Sequence, residues 1–209
     1  MTHLQEIRSL CVNKELTVVY THGGKFHADD VFACAVASLL RPDNELRIIR
    51  CKNLEDLKRL GVDDSNSLIV DIGLGRFDHH QKQKEYYSDG VEKSAVAKLW
   101  DYIGEELIEE EILIREISPE ITKQIFKTVT ENLIKPISDT DTKGQKLRPN
   151  MISRMVSNRT NTDEDELDLV FYDVVYNAKD ILFYEIMQAV SEAENVLTSS
   201  PRLKPGDSL

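Results

Sequence analysis

Three short β-rich runs, separated by helical stretches, constrain this chain more than any other feature. Residues 16–21 read Leu-Thr-Val-Val-Tyr-Thr and stop before Gly23-Gly24, the pattern of a buried strand. Asp29 or Asp30 can then cap a helix running to about residue 40, with Pro42 just beyond its end. Residues 46–51 form a second strand, and Leu54, Leu57 and Leu60 mark a short helix that Gly61 stops. Residues 67–71 form a third strand, closed by Gly73. Strand, helix, strand, helix, strand is the order of a parallel sheet with right-handed crossovers.

Further along, helices dominate. Residues 76–80 are a short candidate fourth strand, and 81–90 are polar and loop-like. A helix is expected over 94–103 with Gly104 closing it, then helices over 105–117 and 119–134, the latter ended by Pro136. Residues 138–163 are polar and loop-rich. A long final helix is expected over 165–196, where Leu167, Phe171, Val174, Val175, Ala178, Leu182, Ile186 and Ala189 recur at helical spacing. Near the start, Leu4, Ile7, Leu10 and Cys11 can form a short helical stripe. The expected fold class is therefore α/β: a predominantly parallel sheet flanked by helices, with a helix-rich C-terminal half. The 209 residues divide into one domain, 1–197, and a flexible tail, 198–209, where two prolines and a glycine gather.

Composition narrows the function. With 41% hydrophobic and 30% charged residues, the chain reads as folded and soluble. Its longest apolar run, 31–40, is too short to span a bilayer, so no membrane partner is expected. The first residues lack the basic-then-apolar pattern of a secretory signal. Three widely spaced cysteines, Cys11, Cys34 and Cys51, are no disulfide framework and point to a reducing cytoplasm. Cys34, set among apolar neighbours, reads as a buried core thiol. A net charge of −11 argues against tight binding of long duplex DNA. Short oligonucleotides and small phosphoesters remain open, because metal cations can supply positive charge locally. The acidic runs at 105–111 and 163–166 read as a solvated helix face and a helix N-terminus.

Four of the five histidines lie between His22 and His80. In open α/β sheets, ligands bind beyond the carboxyl ends of the strands. His22 ends the first run, Asp71 the third, and Asp78-His79-His80 the candidate fourth. Three clusters thus reach one sheet edge without a long loop folding back. Imidazole suits manganese, zinc and iron, and carboxylate suits magnesium and manganese. A mixed His/Asp set without cysteine favours a catalytic centre over a structural zinc. Several ligands of each type suggest two metals, able to clamp the attacking and leaving oxygens of a phosphoryl transfer and to generate hydroxide at neutral pH.

These residues carry a resemblance. Thr21-His22-Gly23-Gly24-Lys25-Phe26-His27-Ala28-Asp29, Ile69-Val70-Asp71-Ile72-Gly73 and Asp78-His79-His80-Gln81 look like the first three motifs of the DHH phosphoesterase superfamily. Phe26-His27-Ala28-Asp29 in the first motif resembles the melanocyte-proliferating-gene (MYG-type) exonuclease family. Lys93-Ser94-Ala95 with Lys98 and Gly104, and Ile152-Ser153-Arg154, are similar to later segments of that family. The resemblance runs from about residue 16 to 195.

The resemblance implies a phosphodiesterase- or exonuclease-like metal-dependent phosphoric ester hydrolase, with a short oligonucleotide or small nucleotide phosphoester as substrate. The cofactor would be two Mn2+, with Mg2+ or Zn2+ as alternatives. His22 and His27 would bind one metal and Asp29 the other. Asp71 would bridge both, His79 would join the second, and His80 would face the phosphate as a catalytic residue. Aligning the fourth motif on Gly144 places its aspartate at Asp139, with Asp141 as the close competitor. Lys25, Ser94 and Arg154 are the candidate phosphate contacts. Longer family members carry a second, C-terminal domain that closes over the cleft. The expectation here is the metal-binding half without that lid, so that a homo-oligomer partner covers the open cleft, the substrate is small, or the chain is a metal- or nucleotide-binding module with little turnover.

Overall fold

The computed structural model describes residues 1–13, 15–112, 118–143 and 150–199. The sheet is built on β1 (Leu16–His22), which pairs in parallel with β2 (Glu45–Cys51) in a register that sets Leu16 opposite Glu45 and His22 opposite Cys51. Thr17, Val19 and Thr21 point inward and their neighbours are half-buried, the alternation of a strand with one covered face. On its other side β1 meets the segment expected as a third strand: Val70 N–H donates to Tyr20 O at 2.9 Å and Tyr20 N–H to Leu68 O at 3.0 Å. Beyond it, Asp71 N–H donates to Phe77 O at 2.9 Å.

These outer segments make only single parallel bridges, Tyr20 with Ile69 and Val70 with Phe77, rather than full strands. The cause is local. Backbone φ is 55° at Asp71, 93° at Gly73 and 58° at Leu74, so the chain leaves the extended conformation just where a ladder would continue. The sheet is thus parallel as expected, but shorter.

The helices cover this sheet. α1 (His3–Cys11) buries Leu4, Ile7 and Cys11. α2 (Ala28–Ser38) is buried along all its residues, as an almost wholly apolar helix must be, and packs against both α4 (Ala95–Leu107) and α8 (Leu167–Ser199). α3 (Leu54–Leu60) ends at Gly61, whose φ of 70° is the left-handed cap that glycine allows. α5 (Pro119–Val129), α6 (Lys135–Thr142) and α7 (Met151–Arg159) complete the helical half. Among the described residues no helix is long and apolar enough to cross a membrane.

Three expectations are corrected. Gly104 does not close its helix: α4 runs on to Leu107 and into a π turn, Ile108–Ile112. A Cβ at Gly104 would lie 2.8 Å from Trp100 and 2.9 Å from Phe126, whose rings stack at 5.6 Å, so glycine is present for close packing. Pro136 does not end its helix either. The π turn Thr130–Ile134 lies directly before it, so the missing N–H and bulky ring fall where regular bonding is already interrupted. The polar stretch 138–163 contains the end of α6 and all of α7, which Asn150 caps by accepting from Ser153 N–H at 2.8 Å. Residues 113–117 of the expected 105–117 helix, and the tail beyond Ser199, lie outside the described residues.

Candidate metal centre

The carboxyl edge of the sheet gathers the charged side chains. β1 delivers His22, and the first turn of α2 delivers Asp29 and Asp30, both fully buried. Asp30 is also a helix cap: its Oδ1 accepts from His27 N–H at 2.8 Å and Val31 N–H at 2.9 Å. Asp71, in its left-handed turn, is 4% exposed. Asp78 shapes the next loop by accepting from Leu74 N–H at 2.7 Å and His80 N–H at 2.9 Å, and it meets His80 Nδ1 at 2.8 Å. That loop presents His79 inward, buried, and His80 outward, its side chain 60% exposed. Lys98 Nζ donates to Asp78 O at 3.1 Å and Lys84 Nζ to His79 O at 2.5 Å, so two ammonium groups hold the loop's carbonyls.

The distances fall into two groups that share Asp71. His22 Nε2 lies 3.0 Å from Asp30 Oδ2 and 3.3 Å from Asp71 Oδ2. His79 Nε2 lies 3.2 Å from Asp71 Oδ1, 3.2 Å from Asp141 Oδ2 and 3.7 Å from Asp29 Oδ2. Asp29 is held from behind by the N-terminus of α4, accepting from Ser94 Oγ at 2.5 Å, Ala95 N–H at 3.0 Å and Val96 N–H at 2.9 Å. The sets Asp29, His79, Asp141 and Asp71, His79, His80 each bring their donor atoms close enough together to hold a metal ion.

Four carboxylates crowd this space, and the protonation equilibria reflect it. Burial alone would lower the His22 imidazole, but Asp30 and then Asp71 overturn that and raise it to about 11. For His79 burial again acts downward, and Asp71, Asp29 and Asp141 carry it up to about 9. Burial would raise Asp71, yet its bonds to His22 and His79 bring it down to about 2. Asp29 and Asp141 stay raised, first by burial and then by the Asp71 charge.

A cation suits this donor set. His22 Nδ1 lies 3.1 Å from Gly23 O, and when it carries the proton, the Nε2 lone pair faces two carboxylates. Only a proton or a metal between them relieves that repulsion. Asp30 Oδ2 and Asp71 Oδ1 are buried and face the Nε2 atoms of His22 and His79, and without a proton on those nitrogens neither oxygen has a hydrogen-bond donor among the described residues. A histidine that donates one nitrogen to a carbonyl and aims the other into the site is also arranged as metal-ligating histidines usually are.

Of the residues singled out in the sequence, His22, Asp29, Asp71 and His79 meet here. His27 stands at the mouth, its side chain 59% exposed and its Nδ1 3.5 Å from Asp141 Oδ1. Of the two fourth-motif aspartates, Asp141 faces the cluster while Asp139 pairs with Lys143. Ser94 is buried between Asp29 and Ser138. The side chains of Lys25 and Arg154 are exposed and make no hydrogen bond or ion pair among the described residues. Asp30 was legible only as a cap. The signal for more was two adjacent aspartates opening a helix that is apolar on every face.

A family model described as an uncharacterised protein family, UPF0160, and named for the MYG1 exonuclease, matches residues 18–196. The chain belongs to the MYG1 exonuclease family. Its relatives are distant. The MYG1 protein of Dictyostelium discoideum is 25% identical over 130 residues, which is 61% of this chain and 38% of the relative. The MYG1 protein of Caenorhabditis elegans is 25% identical over 132 residues, 60% of this chain and 38% of its own. The human MYG1 exonuclease is 30% identical over 86 residues, 38% of this chain and 20% of its own. The match therefore spans well under half the length of these MYG1 relatives. No solved structure matches.

Proposed function

We propose that this chain is a metal-dependent phosphoric ester hydrolase of the DHH phosphoesterase type, acting on short oligonucleotides or small nucleotide phosphoesters. The observation that carries the reading is Asp71. Its two oxygens face different histidines, Oδ2 toward His22 and Oδ1 toward His79, as a carboxylate shared between two cations would. One metal would be held by His22, Asp71 and Asp30, with His27 at the mouth. The second would be held by Asp29, Asp71, His79 and Asp141. The relatives named as exonucleases support a nucleic-acid substrate, and the net charge of −11 favours a short one.

Two Mn2+, with Mg2+ or Zn2+ as alternatives, would supply a nucleophile at neutral pH and neutralise the phosphate. The chain's residues do the rest. Asp71, Asp29 and Asp141 set the charge of the centre, and Ser94 keeps Asp29 aimed. His80 has Nδ1 committed to Asp78, which leaves Nε2 as the nitrogen to place a proton at the phosphate. Lys25 and Arg154 are exposed cations available to the outer phosphates. Three buried free cysteines fit a cytoplasmic setting.

The test is hydrolysis of a short labelled RNA, a dinucleotide and bis-p-nitrophenyl phosphate, with and without Mn2+. Turnover is expected only with metal. Asp71→Asn is expected to lower it by more than about 100-fold, beyond the loss usual for a residue that merely supports a ligand. Full activity in Asp71→Asn would sink the bridging role. Bound metal with no hydrolysis in the wild type would make the chain a binding module.

A further inference from the structure

Outside the ligands, one buried cation stands against the turn that carries His22. Arg50 lies near the end of β2, opposite Thr21 in the parallel register. Its side chain is 2% exposed. Nε donates to His22 O at 3.2 Å, Nη2 to Gly24 O at 2.7 Å, and Nη1 to Asp168 Oδ1 at 2.6 Å. The guanidinium carbon lies 4.3 Å from the centre of the Phe171 ring and 5.6 Å from that of Phe26. Only a planar fork can reach three acceptors and lie over a ring at once, so lysine is no substitute here.

The two carbonyls it holds flank Gly23. That residue's own N–H donates to Cys51 O at 2.6 Å, and its carbonyl meets His22 Nδ1 at 3.1 Å. The peptide groups on either side of the His22 ring contact are thus fixed from β2. The fork is in turn anchored on α8, through Asp168 and Phe171. Apolar packing could fill the same volume without the cost of burying a charge, so a role in setting geometry explains the arginine better than stability does.

We infer that Arg50 is a positioning residue for the metal centre, which fixes the turn from His22 to Gly24 so that His22 Nε2 points at Asp30 and Asp71. This rests on reading the cluster as a metal centre. The test uses the full chain as wild type, Arg50→Lys and Asp168→Asn, with Mn2+ titration calorimetry and metal-free amide hydrogen exchange.

Arg50→Lys is expected to weaken Mn2+ binding by about 10- to 100-fold, the range for groups that orient a ligand from behind. It is also expected to speed exchange at the Gly23 amide by about tenfold or more, with α4 amides within about twofold of wild type. Asp168→Asn keeps the bonds to both carbonyls and is expected to shift both readouts the same way by less. If Mn2+ affinity and Gly23 exchange in Arg50→Lys both stay within about twofold of a wild type that binds Mn2+, the positioning role is overturned and the metal centre stands. Uniform acceleration that includes α4 overturns it too, because it reports general destabilisation. A wild type that binds no Mn2+ overturns the metal-centre reading, and the inference with it.

Discussion

Asp71 occupies a left-handed backbone conformation, φ 55°, which a short polar side chain tolerates better than most. That conformation ends the sheet ladder and turns the carboxylate between His22 and His79. The pairing has a pH signature. His79 is ordinarily near 6.5 and is held at about 9 in the fold, so its stabilisation is complete below 6.5 and is lost as pH rises through 9. His22 behaves alike, with its loss extending to about 11. Asp29 and Asp141, raised by burial and by neighbouring charge, also favour the fold less as pH rises. Asp71 runs the other way: ordinarily near 3.8 and lowered to about 2, its contribution is present above 3.8 and lost as pH falls through 2. In chelator, Tm is therefore expected to fall steadily between pH 6.5 and 10. Saturating Mn2+ should lessen the fall, because the cation replaces the protons that the histidines lose. A metal-free Tm that stays flat over that range would contradict these couplings.

Among the elements, apolar periodicity made α1, α3 and α8 legible, an aspartate cap and a following proline marked α2, and β-branched runs made β1 and β2 legible. Two residues that usually end helices were misleading. Gly104 and Pro136 each lie inside a helical run, because a π turn nearby and a close ring contact changed what those residues do. Gly104→Ala should show this. The helix would gain about 1 kcal/mol of propensity, but the new methyl would meet the rigid Trp100 and Phe126 rings, and overpacking of that kind costs about 1–3 kcal/mol. A net fall in Tm is expected, and a rise would mean that the contact relaxes freely. Pro136 also bears on the site. With α6 running unbroken past it, Asp139 and Asp141 are about 200° apart around the helix axis, so only one can face His79. Alignment on Gly144 favours Asp139, whereas the helix phase brings Asp141 inward. Gly144 itself lies outside the described residues.

For the whole molecule, the alternation of strands and helices is enough to bring the three clusters to one sheet edge, since parallel strands put their carboxyl ends together. The resemblance supplied a fourth-motif aspartate, Asp139 or Asp141, but motif spacing could not show which of the two reaches the cluster from α6, or the support from α4 behind Asp29. Both depend on how helices pack over the sheet, and pairwise helix packing leaves little trace in a single sequence. Four carboxylates and two inward histidines at one edge form a local concentration of negative charge that divalent cations would neutralise. The most direct measurement is an anomalous difference map from crystals soaked in Mn2+. Two peaks are expected, about 3.5–4 Å apart as in two-metal hydrolytic sites, one beside His22 and Asp71 and one among Asp29, Asp71, His79 and Asp141. Saturating Mn2+ with no peak in the cluster would contradict the metal centre itself.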